Sequence, residues 1–374
     1  MRLVISSLFL LLYIAVSLIS FLPCRLSVKV AAGIVLLVVS QKYFLYEKIG
    51  GSFLAPRLPL PIFLSMEVLY AVFVLLFFLL LTRDGLTLLL WISRCLGTSW
   101  RLPFPAAVRD TGIVMAALIL GGWGAWQSIR VPDVRTVEIP VAGLSDRLDG
   151  FTLIQLSDIH IGLLLKKDWL AEVVRKTNSL APDLVVLTGD MIDGSPGELE
   201  QDIAPLGDLR AHYGVYGVTG NHEYYFQAEQ WLPVFRQLGV DMLQNEHRTV
   251  SVNGAELVLA GIPDPRALRF GGHGPDARKA LEGAPDAVRI LLAHQPSGAA
   301  DNIGADIQLS GHTHGGHLFF LKPLVAAFNE GFVNGLYDVN GMKLYVSPGT
   351  GIWAGFSCRL GVPSEITRIV LRAE

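Results

Sequence analysis

Histidine is missing from the first 159 residues of this 374-residue chain, and all nine copies fall after that point. Any imidazole chemistry therefore belongs to the second part. Cysteine is scarce as well. Cys24, Cys95 and Cys358 are too few for a disulfide framework, so this is not a small stapled scaffold. Charged residues make up only 17% of the chain, and the histidine-bearing part has no basic excess: residues 127–374 carry a net −9. Nucleic-acid backbones are held mainly by Lys and Arg, so this acidity argues against a nucleic-acid partner. Internal repeats and low-complexity tracts are absent too.

What the chain has in quantity is apolar surface. Half of it is hydrophobic, and the excess is concentrated in residues 1–126, which carry a net +6. The expected organisation is a multi-span transmembrane region over 1–130 and a water-soluble domain over 131–374. Residues 3–22 are long enough to cross about 30 Å of hydrocarbon. No small-x-small cleavage site follows, so they read as a span rather than a signal peptide. A second span is expected over 30–46, with Lys42 near its end, where an ammonium can snorkel to the interface. A third covers 60–81 and contains Glu67. The fourth, 111–126, is glycine-rich, with Trp123 and Trp126 as interfacial anchors. Residues 86–96 are too short to cross and read as interfacial or as a helical extension. The expected count is four, with three or five as the neighbouring counts. Lys and Arg divide six against six between the two sides, so the positive-inside rule selects no orientation. Glu67 reads as a polar contact between helices, with a transport role as the alternative.

After Arg130 the texture changes to alternating strands and amphipathic helices. Strands are expected at 134–141, 151–157, 183–188, 215–219, 289–293 and 307–310, and helices at 167–180, 199–209 and 231–238. Asn253-Gly254 and Asn340-Gly341, each between short apolar runs, mark two hairpins with type I′ turns. Five short fragments sit at the carboxyl ends of strands, where open α/β sheets gather their sites. They are Ser157-Asp158-Ile159-His160, Gly189-Asp190, Gly220-Asn221-His222-Glu223, Ala293-His294 and Gly311-His312-Thr313-His314-Gly315-Gly316. Five of the nine histidines lie inside them. The expected fold is α/β, a four-layer αββα sandwich of two mixed sheets.

Carboxylate, amide and imidazole ligands in this number suit a pair of divalent cations. Two cations clamp a phosphate and lower the pKa of water from 15.7 towards about 7, which is what phosphate-ester hydrolysis at neutral pH requires. Asp158 and His160, two apart on an extended segment, point the same way, and His312 and His314 can do likewise. Mn, Fe and Zn all suit such mixed ligands.

In their order and spacing the fragments resemble the calcineurin-like metallophosphoesterase superfamily. The flanks, including Ser347-Pro-Gly-Thr-Gly-Ile-Trp353, are similar to the membrane-associated bacterial branch typified by YaeI and YkuE. The resemblance covers about two thirds of the chain. It implies that Asp158, His160 and His314 hold one metal, that Asn221, His294 and His312 hold a second, and that Asp190 bridges them. His222 would stay free of metal, facing the phosphate as a transition-state donor or general acid. His317 departs from the family pattern, which has a polar amide there; it either touches substrate or packs.

Around this set the remaining readings stay divided. Glu223 either orients His222 or caps the following helix, the cap being preferred. Asp193 reads as a turn residue, with a contact near Asp190 as the alternative. Tyr224 and Tyr225 read as helix-face aromatics before a leaving-group pocket, and Arg359 is a candidate phosphate contact. His212, His247 and His273 match no motif. Leu163-Leu164-Leu165 and Phe319-Phe320-Leu321 form either a lipid-facing rim or core.

The expected function is a membrane-anchored, metal-dependent hydrolase acting on a phosphodiester or pyrophosphate, preferring diesters to monoesters. A lipid-linked or membrane-proximal substrate is favoured because four spans exceed what an anchor needs. A non-catalytic metal-binding scaffold or sensor is the alternative; a transporter would rest on Glu67 alone. The resemblance implies a bacterial cytoplasmic membrane and favours its outer side for the domain, the inner side staying open as the alternative. Oligomeric state is not inferred.

Overall fold

The computed structural model describes residues 2–374, and the chain falls into two compact units. The first comprises Met1–Gln127 together with the short segment Ala354–Cys358. The second comprises Ser128–Trp353 and Arg359–Glu374.

In the first unit the apolar runs form helices, the one open-chain state that satisfies every backbone amide from within the segment. These are α1 (Arg2–Ser17), α2 (Leu26–Ser40), α3 (Lys42–Ile49), α4 (Leu60–Cys95) and α5 (Ala106–Ile129). Among the described residues three segments are long and apolar enough to cross a membrane: Leu3–Phe21, Leu60–Cys95 and Ala106–Ile129. A fourth is reached if α2 and α3, bent by 61° where they meet, count as one broken span. The short stretch at 86–96 takes the extension reading: it continues α4, whose 36 residues reach about 54 Å.

The second span therefore departs from its expected continuity, and Lys42 does not snorkel. Its side chain is fully buried, with Nζ 2.7 Å from Glu67 Oε1. Tyr46, one turn further along α3, donates its hydroxyl to the same carboxylate at 2.8 Å. The segment Ala354–Cys358 completes the cluster. Lys42 Nζ and Tyr43 OH each donate to the Gly355 carbonyl at 2.9 Å, and Ser357 N–H donates to Glu67 Oε2 at 3.3 Å. The Tyr70 ring lies 4.8 Å from Nζ. Two opposite charges, each with further hydrogen bonds, can stay buried where either alone could not. A second polar cluster ties α1, α4 and α5. Asp84 accepts from Tyr13 at 2.7 Å and Ser17 at 2.5 Å, while Arg83 meets Asp110 at 2.5 Å.

The second unit holds two six-stranded mixed sheets. The first has the order β1-β12-β2-β3-β4-β5. Its strands are β1 (Asp133–Val141), β2 (Thr152–Leu156), β3 (Leu184–Thr188), β4 (Val215–Val218), β5 (Val240–Met242) and β12 (Glu365–Ala373). All neighbours are parallel except β12 with β2. The other has the order β10-β11-β9-β8-β7-β6. It contains β6 (Glu246–Val252), β7 (Ala255–Gly261), β8 (Val288–Leu292), β9 (Ile307–Ser310), β10 (Gly335–Val339) and β11 (Met342–Val346). Here β6–β7 and β10–β11 are the expected hairpins. Asn253 and Asn340 take φ values of 52° and 53°, as the first position of a type I′ turn requires.

Between the sheets lies one continuous core. Leu153, Leu184, Val186 and Ile369 of the first sheet meet Leu257, Leu259, Ile290 and Leu309 of the second. Gln155 crosses that core, donating to Thr188 Oγ1 and to the Ser310 carbonyl at 2.9 Å. On the outer face of the first sheet pack α6 (Lys167–Ser179), α7 (Pro196–Ile203) and α9 (Ala228–Gln237). The short α8 (Asn221–Tyr225) follows β4 directly, and α10 (Ala277–Leu281) covers the second sheet. The last helix, α11, is Lys322–Ala327. The αββα layering expected from the alternation of strands and helices is the observed one.

The Lys42–Glu67 pair can be tested by its asymmetry. Lys42→Met alone leaves a buried carboxylate without its counter-charge and is expected to cost about 3–5 kcal/mol. Combining it with Glu67→Leu should recover most of that loss. Thermal unfolding of the full-length protein in detergent checks this; a double variant no more stable than Lys42→Met would contradict it.

Candidate metal centre

Strands β2, β3, β4, β8 and β9 all deliver the residue after their carboxyl end to one place. Asp158 and His160 follow β2, Asp190 follows β3, Asn221 and His222 open α8 after β4, His294 follows β8, and His312 and His314 follow β9. Three sets of side chains there bring ligand atoms within 4.8 Å of one another: Asp158–His160–His314, Asp190–His294–His312 and His160–Asp193–His222. The first two coincide with trios drawn from the seven residues expected to bind metal, with Asp190 belonging to the second.

The turns that hold these groups are tight. Asp158, His160, Asp190, His312 and His314 all have positive φ, between 49° and 72°. Non-glycine residues pay about 1–3 kcal/mol for such conformations, which persist only where surrounding structure enforces them. Here the enforcement is visible. Asp158 N–H donates to Gly189 O and His160 N–H to Asp190 O, both at 3.0 Å. Thr350 N–H donates to Ser157 O at 2.7 Å, and Gly351 N–H to Asp158 O at 3.0 Å, so the Ser347-Pro-Gly-Thr-Gly segment clamps the first ligand loop.

The two central carboxylates are held differently, and only Asp190 keeps an oxygen free of hydrogen bonds to face the imidazoles. Asp190 Oδ1 accepts His222 N–H at 2.8 Å. Asp190 Oδ2 lies 3.2 Å from His294 Nε2, 3.8 Å from His160 Nε2 and 3.9 Å from His222 Nε2. Asp158 Oδ2 accepts the Ser157 hydroxyl at 2.6 Å, both its oxygens accept His312 N–H at 3.0 and 3.1 Å, and Oδ1 also stands 3.5 Å from His314 Nε2 and 4.0 Å from His160 Nε2.

The far nitrogens decide what the near ones can do. His294 Nδ1 donates to Thr188 O at 2.7 Å, so its Nε2 presents a lone pair to the Asp190 carboxylate. That Nε2 and the buried Asn221 Oδ1 have no hydrogen-bond partner. Two acceptors facing each other demand a cation or a proton between them, and a buried amide oxygen without a partner is equally short of one. His160 Nδ1 likewise donates to Asp193 Oδ1 at 2.9 Å and turns Nε2 inward, 3.2 Å from His314 Nε2. The donor set therefore fits metal ions on the lone pairs it leaves over.

Protonation tendencies agree. Burial, then the neighbouring His294, push His312 down to about 3. Burial followed by His317 and His160 hold His314 well below the usual imidazole range, so both stay neutral, as imidazoles able to ligate a metal must be. Burial alone would keep His294 neutral, but the Asp190 charge outweighs it and favours a proton on that imidazole, in the place between Nε2 and Asp190 for which a metal ion would compete. For Asp193 the two histidines overcome burial and bring the carboxyl down to about 2.

Several readings change against this geometry. Asp193 is no ordinary turn residue. Its Oδ1 accepts from both His160 Nδ1 and, at 2.5 Å, His222 Nδ1, and its turn is held by the fully buried Trp231, which donates to Gly194 O at 2.9 Å. Glu223 does cap α8, accepting Gly220 N–H at 2.6 Å, and it also accepts the N–H groups of Asp190 and Met191 at 3.0 and 2.7 Å. It thus ties the end of β3 to the end of β4 rather than orienting His222. Arg359 does not offer itself to a phosphate. It is buried, and Nη2 donates to the carbonyls of Pro348 and Gly351 at 2.8 and 2.7 Å behind His314. His317 stacks on His314 with ring centres 5.0 Å apart. Leu165 is buried and Leu164 packs on the same core, whereas Phe319 stays exposed.

Residues 151–316 match the family model described as calcineurin-like phosphoesterase. The chain is 40% identical over 282 residues to a transmembrane protein with metallophosphoesterase domain from Bos taurus, a match covering 71% of this chain and 63% of that protein. It therefore spans less than two thirds of that relative's length. A metallophosphoesterase of Campylobacter jejuni is 33% identical over 314 residues, with 83% of this chain and 81% of the relative covered. The metallophosphoesterase YkuE of Bacillus subtilis is 29% identical, with 68% and 91% covered. Among solved structures, the calcineurin-like phosphoesterase YfkN from Bacillus subtilis aligns with a TM-score of 0.35 at 16% identity, over 54% of this chain and 82% of that one.

Gly311 makes the crowding testable. A β-carbon there would stand 1.9 Å from Ser157 Oγ and 2.2 Å from Asp158 Oδ2, so the carboxylate must move. Gly197, on α7, has nothing within 4 Å of that position. Gly311→Ala is expected to lose most bound metal, measured by elemental analysis of the purified protein, while Gly197→Ala keeps it. Equal metal content in the two variants would overturn the account of this turn.

Proposed function

The chain belongs to the calcineurin-like metallophosphoesterase family, and we propose that it hydrolyses a phosphodiester or pyrophosphate bond on a lipid-linked or membrane-proximal substrate. In this reading residues 1–130 embed the chain in a bacterial cytoplasmic membrane and residues 131–374 are the catalytic domain, on its outer side. The observation that supports the chemistry is a pair of buried acceptors without partners, His294 Nε2, 3.2 Å from the Asp190 carboxylate, and Asn221 Oδ1.

Asp158, His160 and His314 would hold one divalent cation and Asn221, His294 and His312 another, with Asp190 common to both. When bound, the pair neutralises the phosphoryl oxygens and makes water acidic enough to attack near neutral pH. The residues themselves orient and exclude. Asn221 contributes an oxygen without charge, which limits repulsion of an anionic substrate. Asp193 holds His222 through Nδ1, so Nε2 is the nitrogen that meets the leaving oxygen and gives it a proton. The rings of Tyr225 and Trp353 stand 5.5 and 6.1 Å from that imidazole and fix its plane.

Support for an apolar substrate portion comes from the segment after the last histidine fragment. Phe319, Leu324 and Phe328 are 57%, 55% and 79% exposed, an apolar surface suited to acyl chains.

The full-length protein in detergent, loaded with Mn²⁺, is expected to cleave bis(p-nitrophenyl) phosphate faster than p-nitrophenyl phosphate. His222→Ala should lower kcat by roughly 10²–10⁴ without changing metal content, and Asp190→Asn should abolish activity. An Asp190→Asn protein with full activity, or a metal content well below two per chain after loading, would sink the two-metal reading.

A further inference from the structure

One cation beside this centre has no partner of its own. Arg266 lies in the turn Pro265–Phe270 that follows β7, and its side chain is half-buried. Among the described residues its guanidinium makes no hydrogen bond and no ion pair. Its one contact is with the Tyr225 ring, 5.7 Å from the guanidinium carbon to the ring centre. Tyr225 in turn stands 5.5 Å from the His222 ring. A single aromatic thus neighbours both the general-acid candidate and an unspent five-donor fork.

The turn is not loose. Arg266 N–H donates to Asp264 Oδ1 at 2.8 Å, and Asp264 Oδ2 accepts Gln295 Nε2 at 2.8 Å, one residue beyond His294. Asp264 is 1% exposed. The base of the turn is therefore tied to the strand end that supplies a candidate ligand, while the arginine projects from it. Tyr224 and Phe270, on the same two elements, also wall a cavity of about 520 Å³ with Lys279 and His273 in its lining. Glu229 lines it as well and balances the lysine, so the cavity offers room, without excess charge of either sign, for the substituent beyond.

We propose that Arg266 binds a second anionic group of the substrate, on the leaving side of the scissile bond, so that the preferred substrate is a disubstituted pyrophosphate rather than a simple phosphodiester. This rests on the phosphoesterase reading above. In the step it serves, the oxygen of water bonds to the attacked phosphorus and the bond from that phosphorus to the bridging oxygen breaks. The departing phosphate keeps the bridging oxygen, which takes a proton from His222. Arg266 holds the charge of that departing phosphate by a forked pair of charge-assisted hydrogen bonds. It touches no reacting bond and acts on specificity.

A matched pair of probes tests this on the full-length protein: bis(p-nitrophenyl) phosphate and P1,P2-bis(p-nitrophenyl) pyrophosphate, differing only in the second phosphoryl group. The wild type is expected to bind the pyrophosphate more tightly, read as a lower KM or as its inhibition constant against the diester. Arg266→Ala should weaken that binding about tenfold and leave the diester within about twofold; Arg266→Lys should recover part of the loss. Equal losses on both probes, no loss on either, or a wild type that cleaves the diester and ignores the pyrophosphate each overturn the role given to Arg266. A metal-loaded wild type that cleaves neither probe instead removes the phosphoesterase reading on which the role depends.

Discussion

One carboxylate oxygen, Asp190 Oδ2, organises the centre. It is buried, its sister oxygen is occupied by His222 N–H, and three imidazole nitrogens approach it within 3.9 Å. Because His160 and His294 spend their Nδ1 protons outward, on Asp193 and Thr188, what they turn towards Asp190 is lone pairs. An array of acceptors aimed at an acceptor is unfavourable until positive charge enters it. The fold therefore stores a demand for cations, and the strands exist in the arrangement that creates it.

The two units deal with buried charge in opposite ways. Lys42 and Glu67 form a closed account: opposite charges, with Tyr46, Ser357 and the Gly355 carbonyl completing their bonding. Each charge there is matched by the other and by further hydrogen bonds, which favours structure over transport as the role of Glu67. Around Asp190, by contrast, His294 Nε2 and Asn221 Oδ1 stay unsatisfied. Burial is common to both clusters. Completeness is what separates a structural one from a chemical one.

Holding such a site also demands rigidity of the backbone. Five candidate ligands sit at positive φ, and Gly220 and Gly311 bring neighbouring turns closer than a β-carbon allows. Strand ends locked in two sheets, with Glu223 bracing the tips of β3 and β4, hold these turns against their strain. Asp193 belongs to the same design, since one of its carboxylate oxygens accepts from both His160 and His222.

Much of this was legible in the chain itself. Alternating apolar residues marked the strands, Asn-Gly pairs marked both hairpins, and ligand residue types at strand ends marked the centre, because each signal is local and carries its own chemistry. Asp193, Arg359, Arg266 and Lys42 were not legible as what they are. Asp193 reads as a turn until the fold sets it against His222, 29 residues away, and Arg359 as a phosphate contact until the fold sets it behind His314, 45 residues away. Lys42 reads as snorkelling until it meets Glu67, 25 residues on. Periodicity and residue type determined where the elements begin and which side chains can ligate. Which of those groups are left with an unanswered lone pair or an unspent donor depends on partners distant in sequence, and only tertiary packing could decide that.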